Sequence, residues 1–143
     1  MRVHQISVFL ENRAGQLAEI SRILADNGIN MRAMSIAETA DYGVLRIIAD
    51  NEEKAARILR EGGYILSMTP VVVVGVPDRS GGLAPLLQAL AEQNLDIEYM
   101  YSLFIHRAET AYMVFRVRDE ERFVELLAGV GITPATKEEL KIC

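Results

Sequence analysis

The chain contains an internal repeat, and this constrains its fold more than any other feature. A glycine stands between a strand-like run and a helix-like run in Phe9-Leu10-Glu11-Asn12-Arg13-Ala14-Gly15-Gln16-Leu17. The arrangement returns 66 residues later in Val76-Pro77-Asp78-Arg79-Ser80-Gly81-Gly82-Leu83. Two copies in 143 residues leave about 70 residues each, near the lower limit for independent folding. We therefore predict two domains, residues 1–70 and 71–143.

The first copy has the pattern βαββαβ. Alternating apolar residues indicate strands, apolar residues at helical spacing indicate helices, and glycines mark the ends of the helices. The pattern predicts, in order, a strand over 5–10, a helix over 15–27, strands over 29–38 and 42–49 joined by a turn at 39–41, a helix from 50 to 63 and a strand over 64–68. The run Asp50-Asn51-Glu52-Glu53 predicts a helix start, because an Asx side chain accepts hydrogen bonds from free backbone N–H groups.

The second copy repeats this order with its own residues. It predicts a strand over 71–76, a helix marked by the leucines from 83 to 90, strands over 96–105 and 111–117, and a helix over 123–130. Only Ile132 and Thr133 favour a strand after that, so we expect the last strand to be short or missing. The run Thr136-Lys137-Glu138-Glu139 predicts a capping box, in which the first and fourth residues satisfy each other's N–H groups.

These patterns together predict an α+β chain with two ferredoxin-like βαββαβ repeats. In such a unit an antiparallel sheet carries both helices on one face and leaves its other face bare. Two short units of this kind expose more apolar surface than a monomer normally tolerates. We therefore expect a homodimer.

Composition and charge narrow the class of protein further. Hydrophobic residues make up 50% of the chain and charged residues 24%, which is typical of a globular protein, and no apolar run is long enough to span a bilayer. The N-terminus lacks the apolar stretch of a signal peptide, so we expect a cytoplasmic protein without a membrane partner. The net charge of −5 argues against nucleic acid as a partner.

Few residues suit metal or redox chemistry. The single cysteine is Cys143, which excludes an internal disulfide or a CxxC site. His4 and His106 stand apart from any cluster of cysteines or carboxylates, so we expect no metal site and no cofactor. The acidic pairs at 52–53, 120–121 and 138–139 open predicted helices, where they complement the helix dipole.

The two glycine loops and the helices that follow them resemble a known family. Glu11 to Leu17, continued by Ile20 to Asn30, is similar to the ACT domain, a regulatory module that binds amino acids. The second copy, Pro77 to Leu83 continued by Leu90 to Ile97, resembles it as well. The chain is therefore similar to a stand-alone tandem ACT protein. The resemblance implies a non-enzymatic amino-acid sensor that holds its ligand at the two loops, between repeats or between chains, and regulates an enzyme in trans.

The loop chemistry agrees with a zwitterionic ligand. Free N–H groups at a helix N-terminus favour an α-carboxylate, and the amide of Asn12 or the carboxylate of Asp78 can accept from an α-ammonium. The resemblance also points to Asn30 and, in the second copy, Asp96. The residues that we expect at the ligand site are Leu10, Glu11, Asn12, Arg13, Ala14, Gly15, Gln16, Leu17, Asn30, Asp78, Ser80, Gly81, Gly82, Leu83, Asp96, Tyr99, Met100 and Tyr101.

The first loop is the stronger candidate of the two. Pro77 removes one donor from the second loop, and Asp78 is placed to satisfy the helix N–H groups itself and to repel an incoming carboxylate. Asn12 is neutral. We therefore predict that the ligand binds at Asn12 and Gly15, against a wall from the strand between Asp96 and Tyr101.

Two other functions remain open. Asn12 and Asp78 can serve only as helix caps, in which case the chain is a structural dimerisation module without a ligand. Small ferredoxin-like enzymes such as acylphosphatase share the βαββαβ unit. The sequence has no loop that resembles the phosphate cradle of that enzyme, and it has no nucleophile beside a base.

Overall fold

The computed structural model describes residues 2–11, 13–38, 42–105, 107 and 109–143, without the side chain of Glu38. The elements in chain order are β1 (Val3–Glu11), α1 (Gln16–Asp26), β2 (Met31–Glu38), β3 (Tyr42–Ala49), α2 (Glu52–Glu61), β4 (Leu66–Pro77), α3 (Ala84–Glu92), β5 (Ile97–Ser102), β6 (Thr110–Val117) and α4 (Glu120–Gly129). The α+β class and the order predicted for the first copy are confirmed. The turn predicted at 39–41 lies outside the described residues.

The chain divides into two compact units. The N-terminal unit comprises His4–Thr69 and Lys141–Cys143, and the C-terminal unit comprises Met1–Val3 and Pro70–Leu140. Each end of the chain thus belongs to the unit that is built mainly from the other half of the sequence. Strand β4 contributes to both units and runs without a break through Pro70, where the sequence predicts that one strand passes almost directly into the next. Proline fixes a φ value that an extended chain accepts, so it does not have to end a strand.

The sheet of the N-terminal unit has the order β2-β3-β1-β4. Strand β3 pairs antiparallel with both β1 and β2, and its Ile47 lies opposite Ile6 on one side and Met34 on the other. Alternate strand residues such as Ile6 and Ile47 point toward α1 and α2, where they form a core with Ile20 and Leu59. These four side chains have at most 1% of their surface exposed, so they fix the position of α1 on the sheet.

The C-terminal unit repeats the arrangement with β4-β6-β5. Strand β6 pairs antiparallel with both neighbours, and its Phe115 contacts Phe123 of α4 with ring centroids 5.2 Å apart. No strand follows α4 among the described residues, although the N–H of Ala135 donates to the carbonyl of Val73 at 2.7 Å. Among the described residues, the last strand that we expected to be short or missing is therefore missing, and this hydrogen bond lies near its expected place.

The predicted caps are confirmed. The Asn51 side chain accepts from the N–H of Lys54 at 3.1 Å, at the start of α2. Thr136 and Glu139 form both bonds of the capping box, at 3.0 and 3.5 Å. Strand β5 is shorter than predicted and ends at Ser102, after which the N–H of Leu103 makes one further bond to the carbonyl of Tyr112. None of the described helices is long and apolar enough to cross a membrane.

Candidate functional site

A pocket of about 380 Å³ opens in the N-terminal unit where β1 ends. Its wall comes from the end of β1 with the loop after it, the first turn of α1, the start of β3 and the turn between α2 and β4. The lining residues are Phe9, Leu10, Glu11, Arg13, Gln16, Glu19, Tyr42, Gly62, Gly63, Tyr64 and Ile65. We call this the loop pocket. Its volume falls within the usual range for small-molecule sites.

Among the residues that the structure describes, no side chain caps the N-terminus of α1. Gly15 is its N-cap residue, and the first helical bond runs from the N–H of Glu19 to the carbonyl of Gly15 at 3.0 Å. The N–H groups of Gln16, Leu17 and Ala18 therefore have no partner within the helix, and they give this end a partial positive charge. Gly15 has a φ of 87°, a conformation that favours glycine. Lack of space is not the reason for the glycine, because an added Cβ would meet nothing within 4 Å.

Gln16 places a buried amide in the wall of the pocket. The residue is 6% exposed, and its Oε1 has no hydrogen-bond partner among the described residues. A buried acceptor without a donor costs stability, and native proteins keep few of them. The oxygen has almost no accessible surface in this conformation, so a ligand donor reaches it only when the amide turns.

Tyr64 and Glu19 form a short hydrogen bond at one side of the pocket. The Tyr64 hydroxyl donates to Glu19 Oε1 at 2.5 Å. Burial, and then the bond to this carboxylate and its charge, raise the pKa of Tyr64 to about 12, against a smaller opposing effect of Arg13. The phenol thus remains a donor at neutral pH. It orients the Glu19 carboxylate, which has further acceptor positions for a ligand ammonium.

The opposite side of the pocket is apolar. Phe9 and Tyr42 are each about half exposed, and their tilted rings have centroids 6.5 Å apart. Ile65 is 72% exposed and lies beside Phe9, whose N–H donates to the Ile65 carbonyl at 2.9 Å. The pocket therefore combines charged groups of both signs, an uncapped helix end and an apolar surface. Such a set suits a small zwitterion with an apolar part.

The loop pocket brings together four of the residues expected from the sequence, namely Leu10, Glu11, Arg13 and Gln16. Ala14, Gly15 and Leu17 are exposed in the same segment but do not line the pocket. Asn12 lies outside the described residues, so its contact with a ligand stays a prediction.

Asn30 is not part of the loop pocket. It follows the far end of α1, and a helix of 11 residues is about 16 Å long. Its N–H donates to Asp50 Oδ1 at 3.0 Å. A contact between Asn30 and the ligand therefore finds no support inside this unit.

The second loop has a different helix start. Helix α3 begins only at Ala84, with Leu83 as its N-cap residue, Pro85 in its first turn and no side-chain cap. The expectation that Asp78 satisfies the helix N–H groups is wrong, because the helix begins six residues after it. The N–H of Asp78 instead donates to the carbonyl of Glu109 at 2.7 Å.

The four other predicted residues of this loop do not form a pocket of the same kind. Gly81 has a φ of 78°, like its counterpart Gly15, and Ser80 is simply exposed. A Cβ on Gly82 would lie 1.9 Å from the Pro77 carbonyl oxygen, so the tight loop itself requires that glycine. Leu83 packs against the core of its unit.

The predicted wall from Asp96 to Tyr101 does not present a single surface. Asp96 lines a separate depression of about 640 Å³ with Arg2 and Arg118. Tyr99 and Tyr101 stack with centroids 6.4 Å apart, whereas Met100 between them packs against the core. Alternate residues of a strand point to opposite faces, which explains the separation.

Sequence reasoning missed Phe9, Glu19, Tyr42 and Tyr64. A comparison of the two copies shows that these polar residues belong to the first one, because Glu19 and Tyr64 correspond to Pro85 and Ile132. Tyr64 and Ile132 each follow a glycine of positive φ and donate to the helix carbonyl five residues back. Neither Pro85 nor Ile132 can form the side-chain bond that joins Glu19 and Tyr64. The bonded pair of Glu19 and Tyr64 is therefore present in the first copy and not in the second.

Groups of three or more side chains that suit a metal ion are not found in the described part of the chain.

Residues 1–140 match the family model described as an ACT domain pair. Among solved structures, the chain is similar to protein BT0572 from Bacteroides thetaiotaomicron, with 34% identity, a TM-score of 0.89 and coverage of 99% of this chain and 96% of that one. A search of curated proteins finds no significant match.

More distant structures share the fold. The regulatory subunit of aspartate kinase from Thermus thermophilus has 14% identity and a TM-score of 0.65, with coverage of 92% of this chain and 94% of that one. The corresponding subunit from Thermus flavus has 16% identity and a TM-score of 0.58, with coverage of 90% and 93%. The family match over residues 1–140 confirms the resemblance seen in the two glycine loops, and the chain belongs to the ACT domain pair family.

Proposed function

We propose that the protein is a non-enzymatic regulatory protein that binds a free amino acid in the loop pocket. The observation that carries this proposal is the N-terminus of α1, which no described side chain caps, beside a pocket lined by Gln16, whose Oε1 has no hydrogen-bond partner among the described residues. A helix end alone is a weak signal. Together with the buried acceptor and the two acidic side chains, it favours a ligand with groups of both signs.

The two charged groups of an amino acid find complementary partners in this pocket. The α-carboxylate accepts from the N–H group of Gln16, with the guanidinium of Arg13 nearby, and the helix dipole favours the negative charge there. The α-ammonium donates to the carboxylate of Glu19, which Tyr64 orients, or to that of Glu11.

We further propose that the regulated enzyme is a separate chain. Two of the similar structures are named as regulatory subunits of aspartate kinase. A small chain with a ligand pocket suits a comparable arrangement, in which regulation and catalysis belong to separate chains. The proposal includes a homodimer in the cytoplasm, without nucleic acid or a membrane as partner.

A thermal-shift screen of the wild-type chain tests the proposal. The twenty amino acids and inorganic phosphate are added one at a time at millimolar concentration. A ligand at about 100 times its dissociation constant adds about 2.7 kcal/mol to the free energy of unfolding, which is a rise of roughly 5 to 10 °C in Tm.

Each other outcome has a clear meaning. If no amino acid raises Tm, the proposal is wrong and the structural-module alternative gains support. If phosphate alone raises Tm, the enzyme alternative gains support.

A further inference from the structure

We infer that the loop pocket selects an amino acid with a large apolar or aromatic side chain. This inference rests on the proposed function, because it concerns the ligand of the same pocket. It comes from the apolar surface of the pocket, which amino-acid binding in general does not require.

Three large apolar residues are exposed at one place in the N-terminal unit. Phe9 is 48% exposed, Tyr42 49% and Ile65 72%, and all three line the loop pocket. Single exposed apolar residues are common on protein surfaces, but a cluster that borders a polar cavity is typical of a binding site.

Strand pairing holds these side chains together. Phe9 lies opposite Val44, and Glu11 lies opposite Tyr42, so Phe9 and Tyr42 stand on neighbouring strands near the same end of the sheet. Backbone hydrogen bonding fixes Ile65 beside Phe9. Because strands carry Phe9 and Tyr42, little ordering is needed when a ligand covers their rings.

The charges of the pocket disfavour an acidic side chain. Glu11 and Glu19 bring two negative charges to the wall, and Arg13 brings one positive charge. The ammonium and carboxylate of the ligand use these groups, so a further carboxylate would meet an excess of negative charge. A small side chain would leave the rings of Phe9 and Tyr42 in water. An aromatic or long branched side chain removes both rings from water and gains ring contacts.

Isothermal titration calorimetry with L-phenylalanine, L-leucine, L-alanine and L-aspartate tests the inference. The proteins are the wild type, Phe9→Ala and the matched control Phe104→Ala. Phe104 is 53% exposed and belongs to the C-terminal unit, so the control removes an equally exposed ring away from the pocket. Since both rings are about half exposed, neither change should unfold the protein, and a thermal melt checks this.

We expect phenylalanine to bind the wild type and Phe104→Ala at least about tenfold more tightly than alanine, and aspartate to bind least, since apolar area covered by the ligand adds to affinity. In Phe9→Ala this preference should fall to roughly threefold or less.

Three results would overturn the inference. One is equal binding of alanine or aspartate and phenylalanine to the wild type. Another is an unchanged preference in Phe9→Ala. The third is a change of oligomeric state in Phe9→Ala without a change in binding, which would make the apolar cluster an interface between copies.

The proposed function can fail separately. If alanine and phenylalanine bind equally and Gly15→Leu abolishes both, amino-acid binding at the loop stands and only the selectivity is wrong. If no amino acid binds to the wild type, both are wrong.

Discussion

Tyr64 illustrates how one side chain links the core to the pocket. Its ring packs in the core of the N-terminal unit with 9% of its surface exposed, while its hydroxyl donates to Glu19 on the wall of the loop pocket. Replacing it with phenylalanine keeps the ring and removes only the hydrogen bond. Hydrogen bonds to charged groups are stronger than neutral ones, so we expect Tyr64→Phe to lose roughly 1 to 2 kcal/mol of stability at neutral pH.

The same substitution has a distinct pH signature. The pKa of Tyr64 is about 12 in the folded protein and about 10 when unfolded, because burial and Glu19 disfavour the phenolate. The folded state therefore keeps the proton to higher pH than the unfolded state, and stability falls as pH rises between these two values. Below pH 10 this contribution is fully present.

Urea unfolding at pH 8.5 and pH 11.5 measures the effect. Tyr64→Phe should lose less stability over this interval than the wild type. Tyr112 provides the comparison, since its pKa is also raised, by burial and by its bond to Glu139, so Tyr112→Phe should reduce the loss as well. An unchanged loss in Tyr64→Phe would show that its phenol does not titrate in this way.

At the scale of elements, the two glycine loops diverge because of a few residues at the helix starts. Helix α1 begins directly after Gly15, whereas α3 begins three residues after Gly81. Gln16 and Glu19 of the first helix are matched by Gly82 and Pro85 in the second copy. Helix α3 therefore starts later than α1 and loses an N–H donor to Pro85. It also lacks a carboxylate at the position where Glu19 of α1 accepts from Tyr64.

The sequence predicts elements better than it predicts the site. Periodicity and capping residues such as Asn51 suffice for the helices and most strands, because these depend on neighbours in the chain. The pocket depends on three segments that only folding brings together. Tyr64 and Glu19 are 45 residues apart, and nothing in either local pattern relates them. The two strands that the pattern predicts almost in contact at Pro70 form one continuous strand, because proline keeps a φ that an extended chain accepts.

At the scale of the whole molecule, edge strands and exposed apolar residues support the predicted homodimer. Strand β2 is an edge strand of the N-terminal unit and β5 is an edge strand of the C-terminal unit, and edge strands can pair with a second chain. Ile36 on β2 is 43% exposed, and Phe104 just after β5 is 53% exposed. Sedimentation equilibrium should give twice the chain mass of 15.9 kDa. A monomer at tens of micromolar, with and without amino acid, would refute the dimer.

The central claim is that the first loop, rather than the second, holds the ligand. Gly15 and Gly81 form a matched pair for this test, because their φ values are 87° and 78° and an added Cβ meets nothing within 4 Å at either position. A leucine at either site costs about 1 to 2 kcal/mol of backbone strain, so the two variants should lose similar stability. The two variants differ in the loop that carries the leucine side chain, which is the first loop in Gly15→Leu and the second loop in Gly81→Leu.

The measurement is calorimetric titration of the wild type, Gly15→Leu and Gly81→Leu with the amino acid that raises Tm most. Leucine at position 15 blocks the approach to the N–H groups of α1, so Gly15→Leu should show no binding heat, while Gly81→Leu should retain most or all of the wild-type affinity. Normal binding by Gly15→Leu, together with loss of binding in Gly81→Leu, would contradict the account and place the ligand at the second loop.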